Sequence, residues 1–469
     1  MIVEQLYTGC LAEAAYYIES EGEAIVIDPL RESQPYLDLA LRNGASIKYI
    51  LETHFHADFV SGHLDLARKT GATIVYGPTA EPQFPAHIAK DSEVLKVGKV
   101  EIVVLHTPGH TMESSSFLLK DETGKDYAIF TGDTLFLGDV GRPDLAIKQG
   151  ELTREDLAGF LYESLREKIM PLADDVIVYP GHGAGSACGK KMSTDTWGYL
   201  GDQKKLNYAL EPNMTKEDFV VAVTEGLVAP PQYFPKNAQL NKKGYGALED
   251  IFCQFAALSL TEFANLRMQP ETLVLDTRST DDFVRGHIPD SLFVGIDDNF
   301  AMWVGALVED LRTPIILVTD PGREQEVVTR LARVGYDNPI GYLEGGYKAW
   351  AAANYPTAQL AEINAERFAD MYEFGATALL DVRKASEYDT QHIAGAENVP
   401  LDFIYEELKD LNTEKSYFLH CAGGYRSVIA ASILLQHGFR NLVNIRGGFR
   451  ALSHTNLQLT AFAEQATAL

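Results

Sequence analysis

The chain has 469 residues, 46% of them hydrophobic and 23% charged, and a formal net charge of −26 at pH 7. That length suits about three domains. The composition is that of ordinary soluble globular domains, and the acidic balance argues against nucleic acid and against anionic membrane surfaces as partners. Four cysteines (Cys10, Cys188, Cys253 and Cys421) are widely spaced with no C-x-x-C pair. That is not a disulfide framework, and it favours a reducing, cytoplasmic compartment. Residues 1–10 lack the basic start and long apolar run of a targeting segment and read as a first strand, and no apolar run is long enough to span a membrane.

Up to about residue 182, short β-branched runs alternate with helical patterns. Residues 23–28 (EAIVID) form a strand ending in Asp-Pro, and residues 37–43 suit a helix stopped by Gly44. The apolar run at 47–51 reads as a buried strand. It leads into Thr53-His-Phe-His-Ala-Asp58, and a helix over 64–70 stopped by Gly71 follows. Strands are expected at 72–76, 100–105, 117–119, 127–130 and 176–179. Three of them end in chemistry: His106-Thr-Pro-Gly-His110 after the second, Thr131-Gly-Asp133 after the fourth, Pro180-Gly-His182 after the fifth. The same device thus occurs four times: a strand, a tight turn, then His or Asp. Glycine and proline permit the sharp turns that aim each side chain back at one sheet edge. Imidazoles and carboxylates brought together this way are the ingredients of a metal site. His63, His87 and His106 lack this context and read as structural or surface histidines.

These residues resemble the metallo-β-lactamase superfold, with T-H-x-H-x-D at 53–58, P-G-H at 108–110, G-D at 132–133 and P-G-H at 180–182. The resemblance covers roughly residues 1–215 and implies an αβ/βα sandwich with the metal site at one edge of two sheets. Dinuclear zinc hydrolases of this superfold, such as glyoxalase II, continue the first motif as D-H, whereas here Phe59 follows Asp58. An aromatic ring cannot ligate, so a mononuclear site is the simpler expectation.

Similarity to the persulfide dioxygenases implies one Fe(II) in this domain, held by His54, His110 and Asp133. Two histidines and one carboxylate with open positions are the arrangement of non-haem Fe(II) oxygenases. His56, Asp58 and His182 would then orient ligands or waters. Gly141-Arg-Pro-Asp144 resembles the Gly-Arg-x-Asp segment of that family, which makes Arg142 a candidate anion clamp, with a loop salt bridge as the other reading. Cys188 lies six residues after His182 and reads either as a pocket thiol or as a small buried apolar residue.

Residues 226–250, rich in proline and glycine, read as an ordered linker after a short helix over 216–226. Beyond it the chain repeats itself. Leu273-Val-Leu-Asp-Thr-Arg278 matches Leu379-Leu-Asp-Val-Arg383. His-Ile recurs at 287 and 392, and Gly-Gly at 345 and 447. These copies resemble two rhodanese domains, open α/β units with parallel sheets. In the second, a strand over 417–420 runs into Cys421-Ala-Gly-Gly-Tyr-Arg426 and then a helix. Backbone N–H groups in such a curved loop, a helix N-terminus and Arg426 together favour anionic sulfur. Gly423 and Gly424 permit the curvature. Cys421 is therefore the expected nucleophile and persulfide carrier. In the first copy Asp320 stands at that position. A carboxylate cannot carry sulfane sulfur, so this copy is expected to be catalytically inactive.

The expected organisation is a dioxygenase-like domain over 1–225, a linker over 226–250, an inactive rhodanese over 251–356 and an active rhodanese over 357–469. The expected activity is oxidation of a low-molecular-weight thiol persulfide by O₂ to sulfite and thiol. Sulfur transfer through Cys421, with thiosulfate as a further product, is coupled to it. The alternative is a dinuclear zinc thioester hydrolase of glyoxalase II type with an accessory rhodanese. The partners are small molecules, neither nucleic acid nor membrane, with a homo-oligomer left open.

Overall fold

The computed structural model describes residues 1–147 and 151–461. It divides into two compact units, Met1–Ile251 with Thr329–Asp337, and Phe252–Val328 with the chain from Asn338 onward.

The first unit contains two six-stranded sheets. One runs in chain order through β1 (Ile2–Thr8), β2 (Glu13–Ser20), β3 (Glu23–Ile27), β4 (Ser46–Glu52), β5 (Thr73–Tyr76) and β6 (His87–Ile88). The other contains β7 (Val94–Val97), β8 (Val100–His106), β9 (Ser115–Lys120), β10 (Asp126–Gly132), β11 (Ile177–Pro180) and β12 (Gly198–Tyr199), again as sequential neighbours. Side chains alternate between the faces of a strand, and here both faces are buried. Ala14, Tyr16 and Ile18 of β2 join Ile25, Leu51, Ile102, Val104, Phe117 and Phe130 in the core between the sheets. Ala15 and Tyr17 face the other way, into a core with Tyr36, Leu39 and Leu66 of the helices Gln34–Asn43 and His63–Thr70. The outer face of the second sheet is covered by Leu161 of Arg154–Ser164 and Phe219 of Lys216–Thr224. The result is the αβ/βα sandwich expected from the sequence.

The helix stops at Gly44 and Gly71 are as expected, both left-handed with φ of 63° and 72°. Residues 226–250, expected as a linker, instead belong to the first unit. They carry the helix Phe234–Lys243, whose Phe234, Asn237 and Asn241 are buried. A proline-rich composition signals irregular backbone, but says nothing of whether that backbone is packed. Thr329–Asp337 is also part of this unit. The Arg333 carbonyl accepts from Val60 N–H at 2.7 Å, and its guanidinium pairs with Glu32.

The second unit holds two five-stranded parallel sheets of like topology. The first has β13 (Ala256–Leu258), β17 (Pro339–Leu343), β16 (Ile315–Val318), β14 (Leu273–Asp276) and β15 (Leu292–Phe293) in that spatial order. The second has β18 (Ala361–Asn364), β23 (Leu442–Arg446), β22 (Tyr417–His420), β19 (Leu379–Asp381) and β21 (Glu397–Asn398). The repeated motifs occupy equivalent places. Asp276 and Arg278 form a buried bidentate pair, as do Asp381 and Arg383. His287 stacks on Phe283, and His392 on Tyr388. The repeats meet through the helix Tyr425–Gln436, where Ser432 Oγ accepts from Phe293 N–H at 3.0 Å and Tyr425 Oη donates to the Gly295 carbonyl at 3.1 Å. All four cysteines are free. Among the described residues, no helix is long and apolar enough to cross a membrane.

Candidate functional site

The four strand-to-turn segments converge as their spacing implied. His54, His110 and Asp133 each place a ligand atom within 4.8 Å of the others, and all three are buried. Each imidazole is oriented from behind. The Thr53 hydroxyl donates to Asp28 Oδ2 at 2.8 Å and so accepts from His54 Nδ1 at 3.0 Å. His110 Nδ1 donates to the Arg142 carbonyl at 2.9 Å, and His182 Nδ1 to the Ala12 carbonyl at 3.2 Å. Fixing the proton on Nδ1 leaves each Nε2 lone pair free for a cation. His110 Nε2 lies 3.4 Å and His54 Nε2 4.0 Å from Asp133 Oδ2, while His182 Nε2 lies 3.5 Å from Asp133 Oδ1. Burial, followed by the neighbouring His56, His110 and His182, holds the His54 pKa well below its ordinary value.

Both Asp133 oxygens and His182 Nε2 are buried without a hydrogen-bond partner. A buried carboxylate with neither oxygen paired is expensive. A divalent cation satisfies it, and the residues present therefore fit a metal. Two glycines make room for this carboxylate. A Cβ on Gly141 would stand 2.0 Å from the Asp133 carbonyl oxygen and 3.0 Å from His110 Nδ1, and one on Gly181 would stand 2.8 Å from Asp133 Oδ1. Gly141→Ala is expected to displace Asp133 and His110 together. Metal content should fall by at least about tenfold with the circular dichroism spectrum unchanged.

His56 is turned differently. Its Nε2 lies 3.0 Å from Asp28 Oδ1 and 3.7 Å from Glu52 Oε2. Burial pulls its pKa down, but Asp28, Glu52 and Asp58 outweigh burial and raise it to about 10. His56 also groups with Asp58 and His182, whose Nε2 and Oδ2 are 3.4 Å apart. The Phe59 ring is fully buried and packs on His56 with centroids 4.3 Å apart.

Cys188 is brought to this site. Its sulfur, one Asp133 oxygen and one His182 nitrogen lie within 4.8 Å of one another. Burial, then the Asp58 and Asp133 charges, push its thiol well above the ordinary range. Arg142 does not present a free cation. It makes a bidentate pair with Asp144 and donates to the carbonyls of Ala187 and Val228. This is the loop salt bridge, and its carbonyl serves the site by orienting His110. His63 stacks on Phe84, His87 pairs with Glu93, and His106 bonds the Met112 carbonyl, all as structural groups.

Two contributors were not read from the sequence. Asp28 accepts from the Thr53 backbone and hydroxyl at 2.7 and 2.8 Å. Its signal was present, since the strand ending in Asp-Pro is the same device as the other four. Asn241 had no local signal. Its Nδ2 donates to the His56 and Phe59 carbonyls at 2.8 and 2.7 Å, and its Oδ1 accepts from Ser61 N–H at 2.9 Å. Asn241→Leu strands three buried polar groups at a cost of roughly 1–3 kcal/mol each before relaxation. It is expected to lower the unfolding free energy by about 3 kcal/mol and to loosen the metal loop; unchanged stability would refute this bracing role.

In the second unit, Cys421 is buried on the loop between β22 and the helix Tyr425–Gln436. Gly424, at φ 115°, donates its N–H to Cys421 Sγ at 3.1 Å. Gly423 lies in the same turn, and no atom stands within 4 Å of where its Cβ would be. Ser427 Oγ donates to the Gly424 carbonyl at 3.0 Å and holds the curve. The Gly-Gly segment closes on it from the other side. Phe449 N–H donates to the Cys421 carbonyl at 2.6 Å, and a Cβ on Gly448 would stand 2.3 Å from that oxygen. Arg426 forms a bidentate pair with Glu387 at 2.6 and 2.9 Å. In the first repeat Asp320 is exposed, and Arg323 pairs with Asp297 and Glu326.

Residues 8–182 match the metallo-β-lactamase superfamily, and residues 259–353 and 364–455 each match the rhodanese-like domain. A probable hydroxyacylglutathione hydrolase of Schizosaccharomyces pombe is 31% identical over 182 residues, 38% of this chain and 66% of that protein. The mitochondrial persulfide dioxygenase ETHE1 of Homo sapiens is 32% identical over 162 residues, 34% of this chain and 59% of that protein. The chain thus spans under two thirds of these curated relatives. A crystal structure described as a metallo-β-lactamase from Staphylococcus aureus superposes with a TM-score of 0.65 at 31% identity, covering 73% of this chain and 98% of that one. The chain accordingly belongs to the metallo-β-lactamase superfamily, with two rhodanese-like domains following the metal-binding domain.

Proposed function

We propose that the first unit oxidises a low-molecular-weight thiol persulfide with O₂ on a single Fe(II), and that Cys421 transfers sulfane sulfur. The oxidation balances as RSSH + O₂ + H₂O → RSH + SO₃²⁻ + 2H⁺. The observation that carries this reading is the ligand set: two buried imidazoles and one carboxylate whose oxygens lack hydrogen-bond partners, in the same chain as a cysteine whose sulfur already receives a backbone N–H. His54, His110 and Asp133 would hold the iron and leave positions open on it. Ferrous iron, when bound, supplies the redox chemistry that joins the two substrates. The chain's own work is orientation. Thr53 and the Arg142 carbonyl fix the two imidazoles, and the buried walls exclude bulk water.

At the second site, the Cys421 thiolate attacks the outer sulfur of a donor persulfide RSSH; the donor's S–S bond breaks, RS⁻ leaves as the thiolate, and Cys421 becomes a persulfide. Sulfite then takes that sulfur, Cys–S–SH + SO₃²⁻ → Cys–SH + S₂O₃²⁻. The Gly424 N–H and the helix N-terminus receive the negative charge as it moves between sulfurs. Sulfite made by the first reaction is an acceptor for the second, which gives the fusion its chemical sense. The free cysteines suit the reducing cytoplasm this chemistry needs.

Thioester hydrolysis on two zinc ions is the second reading. The group His56, Asp58 and His182 and the similarity to hydroxyacylglutathione hydrolase favour it. Oxygen uptake measured over a panel of persulfides (glutathione, coenzyme A and bacillithiol), with thioester cleavage in parallel, separates the two. Iron-dependent oxygen uptake without thioester cleavage is the expected result. Cleavage with zinc and no oxygen uptake overturns it.

A further inference from the structure

The first repeat carries Asp320 where the second carries Cys421, yet its residues 290–295 run along the helix that begins at the Cys421 loop. Three side chains of that helix reach them. Tyr425 Oη donates to the Gly295 carbonyl at 3.1 Å, Ser432 Oγ accepts from Phe293 N–H at 3.0 Å, and Gln436 Nε2 donates to the Asp290 carbonyl at 2.9 Å. Positions i, i+7 and i+11 fall on one stripe of a helix, so its whole length is laid on the first repeat. Phe293 belongs to β15, the edge strand of the first sheet, and a buried edge N–H needs an acceptor. Ser432 supplies it while donating its own proton to the Ile429 carbonyl at 2.7 Å. The first repeat does not encode the same acceptor: Leu331 stands as far after Asp320 as Ser432 stands after Cys421, and it cannot accept an N–H.

Tyr425 is the tie nearest the chemistry. Its neighbour Gly424 is the N-cap of the helix and donates the N–H that Cys421 Sγ receives at 3.1 Å. Gly423 and Gly424 have no side chains with which to fix their own backbone, and glycine is the residue freest to move. Ser427 Oγ, which donates to the Gly424 carbonyl, belongs to the same helix and moves with it. The loop is therefore held from outside. Behind it, Phe449 N–H donates to the Cys421 carbonyl at 2.6 Å and Arg450 N–H to the Ala422 carbonyl at 3.0 Å. On the helix side stands the first repeat, where the Tyr425 ring also meets Phe293 edge-on with centroids 6.0 Å apart. Burial, then the Asp298 charge, raise the Tyr425 pKa, so the phenol stays protonated as a donor. We propose that the first repeat positions the Cys421 loop of the second, with Tyr425, anchored on the Gly295 carbonyl, as the positioning residue that aims the Gly424 N–H at the sulfur. The inference rests on the sulfur-transfer reading of Cys421, and it gives a task to the repeat that lacks the cysteine.

The test is Tyr425→Phe in the full-length chain, which removes one oxygen and keeps the ring. Gly295 borders an open cleft of about 260 Å³, so water can take up the freed carbonyl and the fold is retained. With thiosulfate as donor, the cysteine is loaded by Cys–S⁻ + S₂O₃²⁻ → Cys–S–S⁻ + SO₃²⁻. In the variant, kcat should fall by about tenfold while KM for thiosulfate stays within about twofold, and the persulfide on Cys421, followed by mass spectrometry, should form more slowly by the same factor. Gln436→Ala loosens the same contact at the far end of the helix, and its kcat should stay within about twofold of wild type. Both variants are assayed well below their unfolding transitions. A merely structural tie would then leave both kcat values unchanged or lower both equally, and either result overturns the proposal. A wild-type chain without sulfurtransferase activity would sink the reading of Cys421 and this inference together, whereas an active wild type with an unchanged Tyr425→Phe sinks the inference alone.

Discussion

Asp133→Ala in the full-length chain should abolish metal retention and oxygen uptake while leaving thiosulfate sulfurtransferase activity unchanged. Asp133 is a carboxylate that faces all three histidines His54, His110 and His182. Alanine removes both carboxylate oxygens and leaves imidazoles alone, which bind Fe(II) weakly without a charge-neutralising partner. Loss of an orienting partner alone typically costs 10–100-fold in metal affinity. Loss of the carboxylate itself should exceed that, with iron content below about a tenth of wild type and oxygen uptake down by more than about 100-fold. The sheets should survive, since the substitution removes an unpaired buried charge. Persistent oxygen uptake at wild-type rates would place the metal elsewhere.

The reciprocal expectation concerns Cys421→Ser. Serine keeps the size of the side chain, yet its hydroxyl is a far weaker nucleophile and cannot carry sulfane sulfur. Sulfurtransferase activity should fall by at least about 10³-fold, while metal content and persulfide-dependent oxygen uptake remain. The product should shift from thiosulfate towards sulfite, since the proposed acceptor step is lost. Mass spectrometry should find a 32 Da persulfide adduct, roughly one sulfur atom, on the wild-type loop and none on the variant. Thiosulfate sulfurtransferase activity equal to wild type in Cys421→Ser would show that another group is the nucleophile.

Much of this was legible because the chemistry is carried by local devices. A strand, a glycine or proline turn, and a ligand can be read from a few consecutive residues, and four such devices met at one place. The repeat was legible for the same reason. Asp276–Arg278 and Asp381–Arg383 are pairs two residues apart, and each forms the same fork. Arg142 was legible as important but not in its role. A guanidinium near a metal motif can bind a ligand or bind the protein, and only the positions of Asp144, Ala187 and Val228 decide between them.

By itself the sequence carried the strand-turn-ligand devices at His54, His110, Asp133 and His182, the repeated Asp-x-Arg motifs and the strand-loop-helix pattern at Cys421, while the αβ/βα sandwich and the two parallel rhodanese-like units were implied by the families those motifs resemble. Periodicity, turn chemistry and spacing act within a few residues, and those features live at that range. Only the tertiary structure decided that residues 226–250 belong to the metal-binding unit, that Asn241 holds the carbonyls of the metal loop, and that Cys188 stands beside Asp133 and His182. Asn241 reaches its partners across 182 and 185 residues of chain. Contacts at that separation arise from how the layers pack, and no pattern local to either end encodes them.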